Sequence, residues 1–204
     1  MALVNILIVL ALCWLVAVKA GLNEDYLREH NRLRKDHGTP ALILDDSLSK
    51  GCEEYAKELA EKEVMAHSTD GGTKYGENLC MRSEKPLQCV QDWYDEIEDY
   101  NFDNPGFSMG TGHFTALVWK SAKKLGIGQA KDKQGHYWVV GRYYPPVNVY
   151  GKFKENVPRP LSQSGGGGGQ GQGHVSSDDN EDNSNMIRVN TILILIALCL
   201  LFTN

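Results

Sequence analysis

The sequence predicts an α+β domain, because helical and extended segments alternate along one chain. Within Leu48–Leu59, apolar residues recur at intervals of four, three and four, which is the spacing of one helix face. Further along, Leu125–Ala130 and His136–Tyr144 have the composition of β-strands. Only five residues, Lys131–Gly135, separate these two runs, and this spacing predicts a β-hairpin.

Length and charge bound the domain. The chain has 204 residues and a formal net charge of -5 at pH 7. We assign residues 21–157 to one compact domain, which is long enough to bury a core of its own. Acidic and basic residues are mixed throughout this domain, without a block of one sign. The sequence therefore predicts no nucleic-acid partner.

Residues 1–20 predict a signal peptide. Their apolar core, Ile6–Val18, is shorter than the roughly 20 residues that a membrane-spanning helix needs. The end of this segment, Val18-Lys19-Ala20, has compact residues at the two positions that signal peptidase reads, which favours cleavage after Ala20. We therefore expect a secreted mature chain.

The C-terminal region changes abruptly in composition. Residues 158–185 contain five consecutive glycines and an acidic, polar stretch, which predicts a flexible linker. Residues 186–204 carry the apolar run Ile192–Phe202 and end without a basic segment. A polar spacer followed by an apolar tail is the pattern of a GPI-attachment signal, with a short single-pass membrane anchor as the alternative. The expected location is the extracellular space or the outer face of the plasma membrane.

Local signals predict the first elements of the domain. Leu22–His37 predicts a charged helix that ends at Gly38. Its two histidines, His30 and His37, lie among polar residues, and we expect both to face solvent. The short apolar run Ala41–Leu44 is expected to be extended.

The middle of the domain predicts two more helices and a strand. Asp46 is the predicted N-cap of a helix that ends near Met65. Tyr75–Met81 predicts a strand, and Pro86–Tyr100 predicts a helix because proline suits the first helical turn. Residues 148–157 are expected to wrap over the surface after the hairpin.

Five short blocks carry the functional signal. One of them, Gly112–Trp119, presents an imidazole at the mouth of an apolar run, behind glycines that free the backbone to bend. In chain order the blocks are Ala66-His67-Ser68, Gly76-Glu77-Asn78-Leu79, Trp93-Tyr94-Asp95-Glu96-Ile97, Gly112–Trp119 and Tyr143-Tyr144-Pro145. Together they closely resemble the CAP superfamily (cysteine-rich secretory proteins, antigen 5, pathogenesis-related 1), and within it the Golgi-associated, pathogenesis-related-like branch. The resemblance implies an α-β-α sandwich with a central antiparallel sheet, covered on both faces.

The resemblance also implies a central cleft. Its four lining residues would be His67, Glu77, Glu96 and His113. Two imidazoles and two carboxylates can bind a divalent metal, and zinc held by His67 and His113 is the expected ion. The same groups can instead act as an acid–base pair, or form a hydrogen-bonded network that only holds loops together.

The cysteine count predicts one disulfide and one free thiol. Cys52, Cys80 and Cys89 lie in the predicted domain, and an odd number leaves one without a partner in an oxidising compartment. Cys52 falls on the apolar face of its helix and is expected in the core. Cys80 and Cys89 flank a short loop, so we expect them to pair.

Two short motifs are expected to be structural. Gly106–Gly110 has the letters of the Gly-x-Ser-x-Gly nucleophile elbow, but Asn104-Pro105 precedes it where that motif needs a strand. Gly126-Ile127-Gly128 lacks the third glycine and the βαβ context of a dinucleotide site. Neither motif supports an enzymatic function.

The favoured function is a non-enzymatic binding module, because no nucleophile is identifiable. The family that the chain resembles includes members that bind sterols and fatty acids, so a small lipid of this kind, or a protein partner, is the expected ligand. A metal-dependent hydrolase, acting as a protease or esterase through the cleft, is the alternative. A surface protein with a vestigial cleft is a third hypothesis.

Overall fold

The computed structural model describes residues 2–163; most of the predicted linker and the predicted anchor, residues 186–204, lie outside the described residues. Of the described residues, 18–163 form one compact unit and the helical residues 2–17 belong to a second one. Within residues 2–163, no helix is both long and apolar enough to cross a membrane. The elements in chain order are α1 (Ala2–Asp36), β1 (Ile43–Leu44), α2 (Asp46–Lys62), β2 (Gly76–Arg82), a 3₁₀ turn (Pro86–Gln88), α3 (Cys89–Asp95), a 3₁₀ turn (Glu96–Asp99), α4 (Gly112–Val118), β3 (Lys124–Lys131), β4 (Tyr137–Tyr144), α5 (Phe153–Asn156) and a 3₁₀ turn (Leu161–Gln163).

A four-stranded sheet with the order β1-β3-β4-β2 forms the centre of the domain. β3 and β4 form the predicted hairpin, and β4 also pairs antiparallel with β2 along the whole of that strand. The two-residue strand β1 runs parallel to β3 and makes the sheet mixed. The prediction of an antiparallel sheet is therefore correct for the three long strands.

Helices cover both faces of the sheet, which confirms the α+β sandwich. On one face α2 packs over a smaller apolar cluster, made of Cys52, Ala56, Leu59, Ala60, Leu79, Trp138 and Val140. On the other face α1, α3 and α4 enclose a larger cluster, which includes Tyr26, Leu33, Trp93, Phe114, Leu117, Val139 and Tyr143. The two clusters arise because alternate residues of a strand point to opposite faces.

Two glycines of β3 let α2 lie directly on the sheet. A Cβ atom on Gly126 would lie 2.4 Å from Leu48 Cβ, and one on Gly128 would lie 2.2 Å from the backbone nitrogen of Glu53. No side chain fits at either position. The Gly126-Ile127-Gly128 motif is therefore a helix-packing site.

Predicted boundaries differ from the structure in three helices. The predicted helix Leu22–His37 is the second half of α1, which begins at Ala2 and ends at Asp36. Asp45, not Asp46, is the N-cap of α2, because its carboxylate accepts the backbone N–H of Leu48. The helix ends at Lys62, before Met65, since Glu63 adopts the left-handed conformation with φ 53°. The predicted helix Pro86–Tyr100 is a short α-helix between two 3₁₀ turns.

The prediction that His30 and His37 face solvent is wrong. Their exposed fractions are 0% and 2%. His30 lies on the buried face of α1, one helical turn after Tyr26, and His37 lies in the turn after α1, against Tyr94 and Phe114. The ring nitrogens are satisfied by hydrogen bonds, which permits two polar side chains in the core.

The cysteines behave as expected. Cys80 and Cys89 form a disulfide that ties β2 to the start of α3. Cys52 is a free, buried thiol in the smaller apolar cluster. Burial raises the pKa of this thiol to about 12, so it stays protonated.

Residues 157–163 pack onto the domain and are called the C-terminal strap below. The Nδ1 atom of His37 donates to the carbonyl oxygen of Pro158 at 2.7 Å. Arg159 forms an ion pair with Asp103. The strap continues six residues beyond Val157, where the sequence analysis placed the end of the domain.

Candidate functional site

The four predicted cleft residues form two histidine–glutamate pairs. The Nδ1 atom of His67 lies 3.1 Å from Glu77 Oε1, and the Nδ1 atom of His113 lies 2.7 Å from Glu96 Oε1. His67 lies in the loop after α2, Glu77 in β2, Glu96 in the 3₁₀ turn after α3, and His113 in the first turn of α4. Each predicted residue therefore has a partner within the predicted set.

Strand β2 lies between the two pairs. Glu77 shares a strand face with Leu79, which packs under α2. The next residue, Asn78, points to the opposite face, where its amide nitrogen donates to the carbonyl oxygen of His113 at 3.0 Å. The pair containing His67 therefore belongs to the α2 face, and the pair containing His113 belongs to the α4 face. Both pairs lie at the start of this edge strand.

Glu77 has a carboxylate whose acceptor sites are all used. Its Oε1 atom accepts from the backbone N–H of Ser68 and from the imidazole of His67. Its Oε2 atom accepts from Ser68 Oγ and Arg142 Nε. Only 1% of the side chain is exposed. Burial opposes the charge, but the hydrogen bonds from His67 and Ser68 and the charge of Arg142 hold the pKa of Glu77 below its usual value.

Glu96 caps the N-terminus of helix α4, although it lies outside that helix. Its Oε2 atom accepts the backbone N–H groups of His113 at 2.8 Å and Phe114 at 3.1 Å. These are donors that a helix leaves unpaired in its first turn, and Thr111 at the N-cap makes no side-chain bond to them. The same carboxylate therefore places the helix start and orients the imidazole of His113.

The pairing fixes the tautomer of both cleft histidines. An ionised carboxylate accepts hydrogen bonds and donates none, so Nδ1 of His67 and of His113 carries the proton in the neutral ring. The Nε2 atom of each ring then carries a lone pair. A histidine whose Nδ1–H is bound to a carboxylate is the usual form of a metal-binding histidine.

A buried polar chain, which the sequence analysis missed, connects α1 to this site. The amide of Asn78 donates to Tyr143 Oη at 3.1 Å, and that hydroxyl in turn donates to Nε2 of His30 at 3.0 Å. The Nδ1–H of His30 donates to the carbonyl oxygen of Tyr26. Burial lowers the pKa of His30 to about 4, so the ring is neutral at physiological pH. Asn78 and Tyr143 lie in the recognised blocks, but no local signal connected either of them to His30.

The carboxylates of the cleft are engaged as supports and not as free metal ligands. Among the described residues, the only group of three or more closely spaced His, Cys, Asp or Glu ligand atoms is Cys80, Cys89 and Asp92. The first two are joined in the disulfide, so this group is not a metal site. A cation in the cleft would therefore be held by imidazoles, with its remaining positions open. Two imidazoles supply fewer protein ligands than a closed site of four requires.

Two surfaces adjoin the cleft. A groove of about 390 Å³ runs beside His67, between the end of α2 and the loop that follows it. On the other side, the segment leading to His113 exposes Phe107 and Met109, the latter to 91%. Tyr150, at 96% exposure, follows Asn148, whose amide donates to the carbonyl oxygen of Gly112. Of these exposed side chains, Phe107 lies against Gly112, next to His113.

The Gly106–Gly110 segment is a turn and has no nucleophile geometry. No strand leads into it, in agreement with the sequence analysis. Ser108 accepts the backbone N–H of Gly110 through its hydroxyl, and its carbonyl oxygen accepts the N–H of Thr111. Its side chain therefore stabilises the turn before α4.

Comparison with known proteins gives a consistent result. The sequence profile described as "CAP: Cysteine-rich secretory protein family" matches residues 27–143, more than half of the chain. The human protein "Golgi-associated plant pathogenesis-related protein 1" is 41% identical over 140 residues, which cover 66% of this chain and 91% of the human protein. "Pathogenesis-related protein 1C" of Nicotiana tabacum is 34% identical over 134 residues, which cover 63% of this chain and 78% of the tobacco protein.

Solved structures agree on the fold. The structure titled "Crystal structure of NaASP2 with Zn2+" has a TM-score of 0.53 and 23% sequence identity, and the match covers 67% of this chain and 84% of that one. At this identity the likeness concerns the fold alone. All the recognised blocks except the last residues of the fifth lie inside the matched range of residues 27–143.

Proposed function

The chain belongs to the CAP family of cysteine-rich secretory proteins, and from this premise we propose that it is a non-enzymatic binding module whose cleft holds a divalent cation, Zn²⁺ foremost, between His67 and His113. The observation that supports the proposal is the tautomer of the two imidazole rings. Both donate Nδ1–H to a glutamate and keep Nε2 as an acceptor. Zinc bound there would supply a Lewis acid with open positions for a ligand.

The test is a zinc titration of the full chain by isothermal calorimetry at neutral pH. H67A and H113A should each weaken zinc binding by at least tenfold, because each removes half of the protein ligands. H136A is a matched control, since His136 also donates Nδ1 to a carboxylate, that of Asp132, at 3.0 Å. The proposal fails if the wild-type chain binds no zinc, or if H136A weakens binding as much as the cleft variants do.

We further propose that the domain binds a small lipid, a sterol or a fatty acid, beside the His113 half of the cleft. Phe107, Met109 and Tyr150 offer exposed apolar contacts there. Fluorescent sterol and fatty-acid probes should bind the wild-type chain and bind the F107S/M109S variant markedly less. Met81 is also half-exposed but lies on β2, so M81S is the control and should bind like the wild type. Equal binding by all three proteins would leave a protein partner as the expected ligand.

A metal-dependent hydrolase remains the second candidate, because an imidazole oriented by a carboxylate is also the arrangement of a general base. The assay is turnover of ester and peptide substrates by the full chain, with and without chelator. Turnover that chelator and H113A both abolish would favour the hydrolase over the binding module. Absence of turnover with zinc bound is the result that the binding module requires.

We propose that the mature chain is secreted and held at the outer cell surface by a GPI anchor. The support is the pair of apolar ends in the sequence, with a polar spacer before the second. Phosphatidylinositol-specific phospholipase C should release the protein from intact cells. A mature mass that still includes Ile192–Phe202 would contradict the anchor.

A further inference from the structure

An arginine that the sequence analysis did not consider reaches the cleft from strand β4. Arg142 is the register partner of Glu77 in the β2–β4 pairing, so the two side chains leave the sheet on the same face. Its Nε atom donates to Glu77 Oε2 at 3.0 Å. The exposed fractions of the two side chains are 8% and 1%, so the contact is shielded from water.

The surroundings of Arg142 restrict its position. The guanidinium carbon lies 4.3 Å from the ring centroid of Tyr75 and 5.4 Å from that of Tyr55. On the helix side, Gly51 provides space, since a Cβ atom there would lie 2.9 Å from Arg142 Nη1. Two aromatic rings and a glycine therefore hold the guanidinium where Nε reaches Glu77.

Two residues besides His67 hold this carboxylate, Ser68 in the His67 loop and Arg142 in the sheet. Arg142 Nε and Ser68 Oγ donate to Oε2, and the backbone N–H of Ser68 donates to Oε1, the oxygen that faces His67. A carboxylate that is free to rotate would offer either oxygen in changing directions. The arginine thereby orients the acceptor that keeps the proton of His67 on Nδ1.

The other half of the cleft has a different support. Glu96 is held by two backbone N–H groups at the start of α4, as described above. A substitution at Arg142 should therefore affect one histidine and leave the other unchanged. This asymmetry provides an internal control in the same molecule.

We propose that Arg142 is a positioning residue for His67. By fixing the carboxylate of Glu77, it holds the imidazole as the Nδ1–H tautomer, with Nε2 available in the cleft. The effect on zinc affinity rests on the proposed function, whereas the effect on the tautomer concerns the metal-free protein alone.

The experiment records the imidazole ¹⁵N–¹H correlations of the metal-free full chain at neutral pH, where the shifts of Nδ1 and Nε2 report the tautomer. In the wild type both His67 and His113 should be Nδ1–H. In R142M, His67 should become a mixture of tautomers while His113 keeps its spectrum. R142K should restore most of the wild-type signal, because its ammonium can still donate to Oε2. R142Q, a polar and shorter side chain, replaces R142M if that variant does not fold.

Zinc titration of the same samples completes the design. R142M should bind zinc about tenfold more weakly than the wild type, which is the usual effect of losing an outer-shell partner of a metal-binding histidine. Positioning by Arg142 is refuted if His67 stays Nδ1–H in R142M, or if both histidines change together. If the tautomer changes as expected but no variant, the wild type included, binds zinc, the positioning role stands and the proposed function fails.

Discussion

Arg34 shows how a single buried cation can hold several segments together. The residue is 0% exposed. Burial lowers its pKa to about 10, so the guanidinium is still charged at neutral pH. Its donors bind four backbone carbonyl oxygens, those of Pro40, Leu117, Trp119 and Ala122. The carbonyl oxygens of Leu117 and Trp119 lie at the C-terminal end of α4, so Arg34 caps that helix.

We predict that R34M destabilises the domain by at least about 3 kcal/mol, because it removes a buried donor from four backbone carbonyl oxygens. Urea unfolding of the full chain measures the change. R32M is the control on the same helix, since Arg32 is half-exposed and pairs with Glu29 on the surface. Its effect should stay below about 1 kcal/mol. Equal losses in the two variants would show that the carbonyl contacts of Arg34 contribute little.

Two buried histidines make the free energy of unfolding depend on pH in the mildly acidic range. Burial lowers the pKa of His30 to about 4, and burial also lowers the pKa of His37. A histidine with a lowered folded-state pKa binds more protons when unfolded. Its contribution to stability is therefore present above the unfolded value of about 6.5 and is lost as pH falls towards the folded value.

We predict that the free energy of unfolding falls between pH 6.5 and about 4.5, by on the order of 2 kcal/mol. Below that range, carboxylates with a lowered pKa, Glu77 and Asp132 among them, add to the loss as they are protonated. Urea unfolding at half-unit pH steps measures the curve. Stability that is flat or rising between pH 6.5 and 4.5 would contradict neutral, buried His30 and His37.

For single residues, the sequence was sufficient to predict which side chains form the candidate site, but not which polar side chains are buried. His67, Glu77, Glu96 and His113 were recognised because each lies in a block of the family. His30 and Arg34 look like surface residues of a charged helix, and their burial depends on α1 packing against a sheet formed much later in the chain. Arg142 was missed for the same reason, since its contact with Glu77 follows only from the β2–β4 register.

Helix α2 and strand β3 depend on backbone contact. Gly128 lies against the carbonyl carbon of Cys52 and the nitrogen of Glu53, where an added Cβ would be 2.5 and 2.2 Å away. These are main-chain atoms in the middle of a helix, so they cannot move aside singly. The packing of this helix on this face therefore requires glycine.

We predict that G128A destabilises the domain by at least about 2 kcal/mol, because α2 must shift away from the sheet. Thermal or urea unfolding measures the loss. G106A is the control, since a Cβ atom at Gly106 would meet nothing within 4 Å. Its stability should remain within about 0.5 kcal/mol of the wild type. A G128A protein as stable as G106A would mean that α2 has freedom to move that the structure does not show.

Helices and strands with a local sequence pattern were predicted. Those whose ends are stabilised by residues from other segments were not. The apolar spacing within α2 and the hairpin spacing of β3 and β4 are local properties of the chain. Helix α4 has only seven residues, and its first N–H groups are satisfied by Glu96 from another segment. The sequence therefore marked Gly112–Trp119 as important without predicting that it is a helix.

The whole domain rests on two apolar clusters, one on each face of the sheet. The disulfide joins β2 to α3 on the face of the larger cluster, across nine positions of sequence. A core of this extent does not require a covalent link in order to form. The bridge therefore adds stability to a fold that other interactions define.

We predict that C80S/C89S lowers the free energy of unfolding by about 2–3 kcal/mol without abolishing the fold, which is the value expected for closing a loop of this length. Far-ultraviolet circular dichroism checks the fold, and urea unfolding measures the loss. Dithiothreitol should destabilise the wild type and leave the double variant unchanged. An unfolded double variant would show that the clusters cannot form without the bridge.

At the scale of the molecule, the family blocks were enough to predict the α-β-α sandwich. The parallel strand β1 and the C-terminal strap depend on contacts that no short motif encodes. β1 has two residues and is defined only by its pairing with Lys124 and Leu125. The strap is likewise fixed by distant partners, His37 and Asp103. Long-range contacts of this kind leave little trace in local composition.

The C-terminal strap also sets the path by which mechanical tension would enter the domain. A pull on the chain beyond Gln163 reaches Leu161, which lies against Gly38, before the Arg159–Asp103 ion pair and the bond between Pro158 and His37. Behind these contacts the load passes into the end of α1 and the packing around Phe153 and Val157. Asp103 lies in the segment between Glu96 and His113, so the load reaches that pair, whereas strand β2 and the loop that carries His67 are not in series with the path. A domain pulled from this end would therefore lose its strap and load the Glu96–His113 pair before the His67–Glu77 pair.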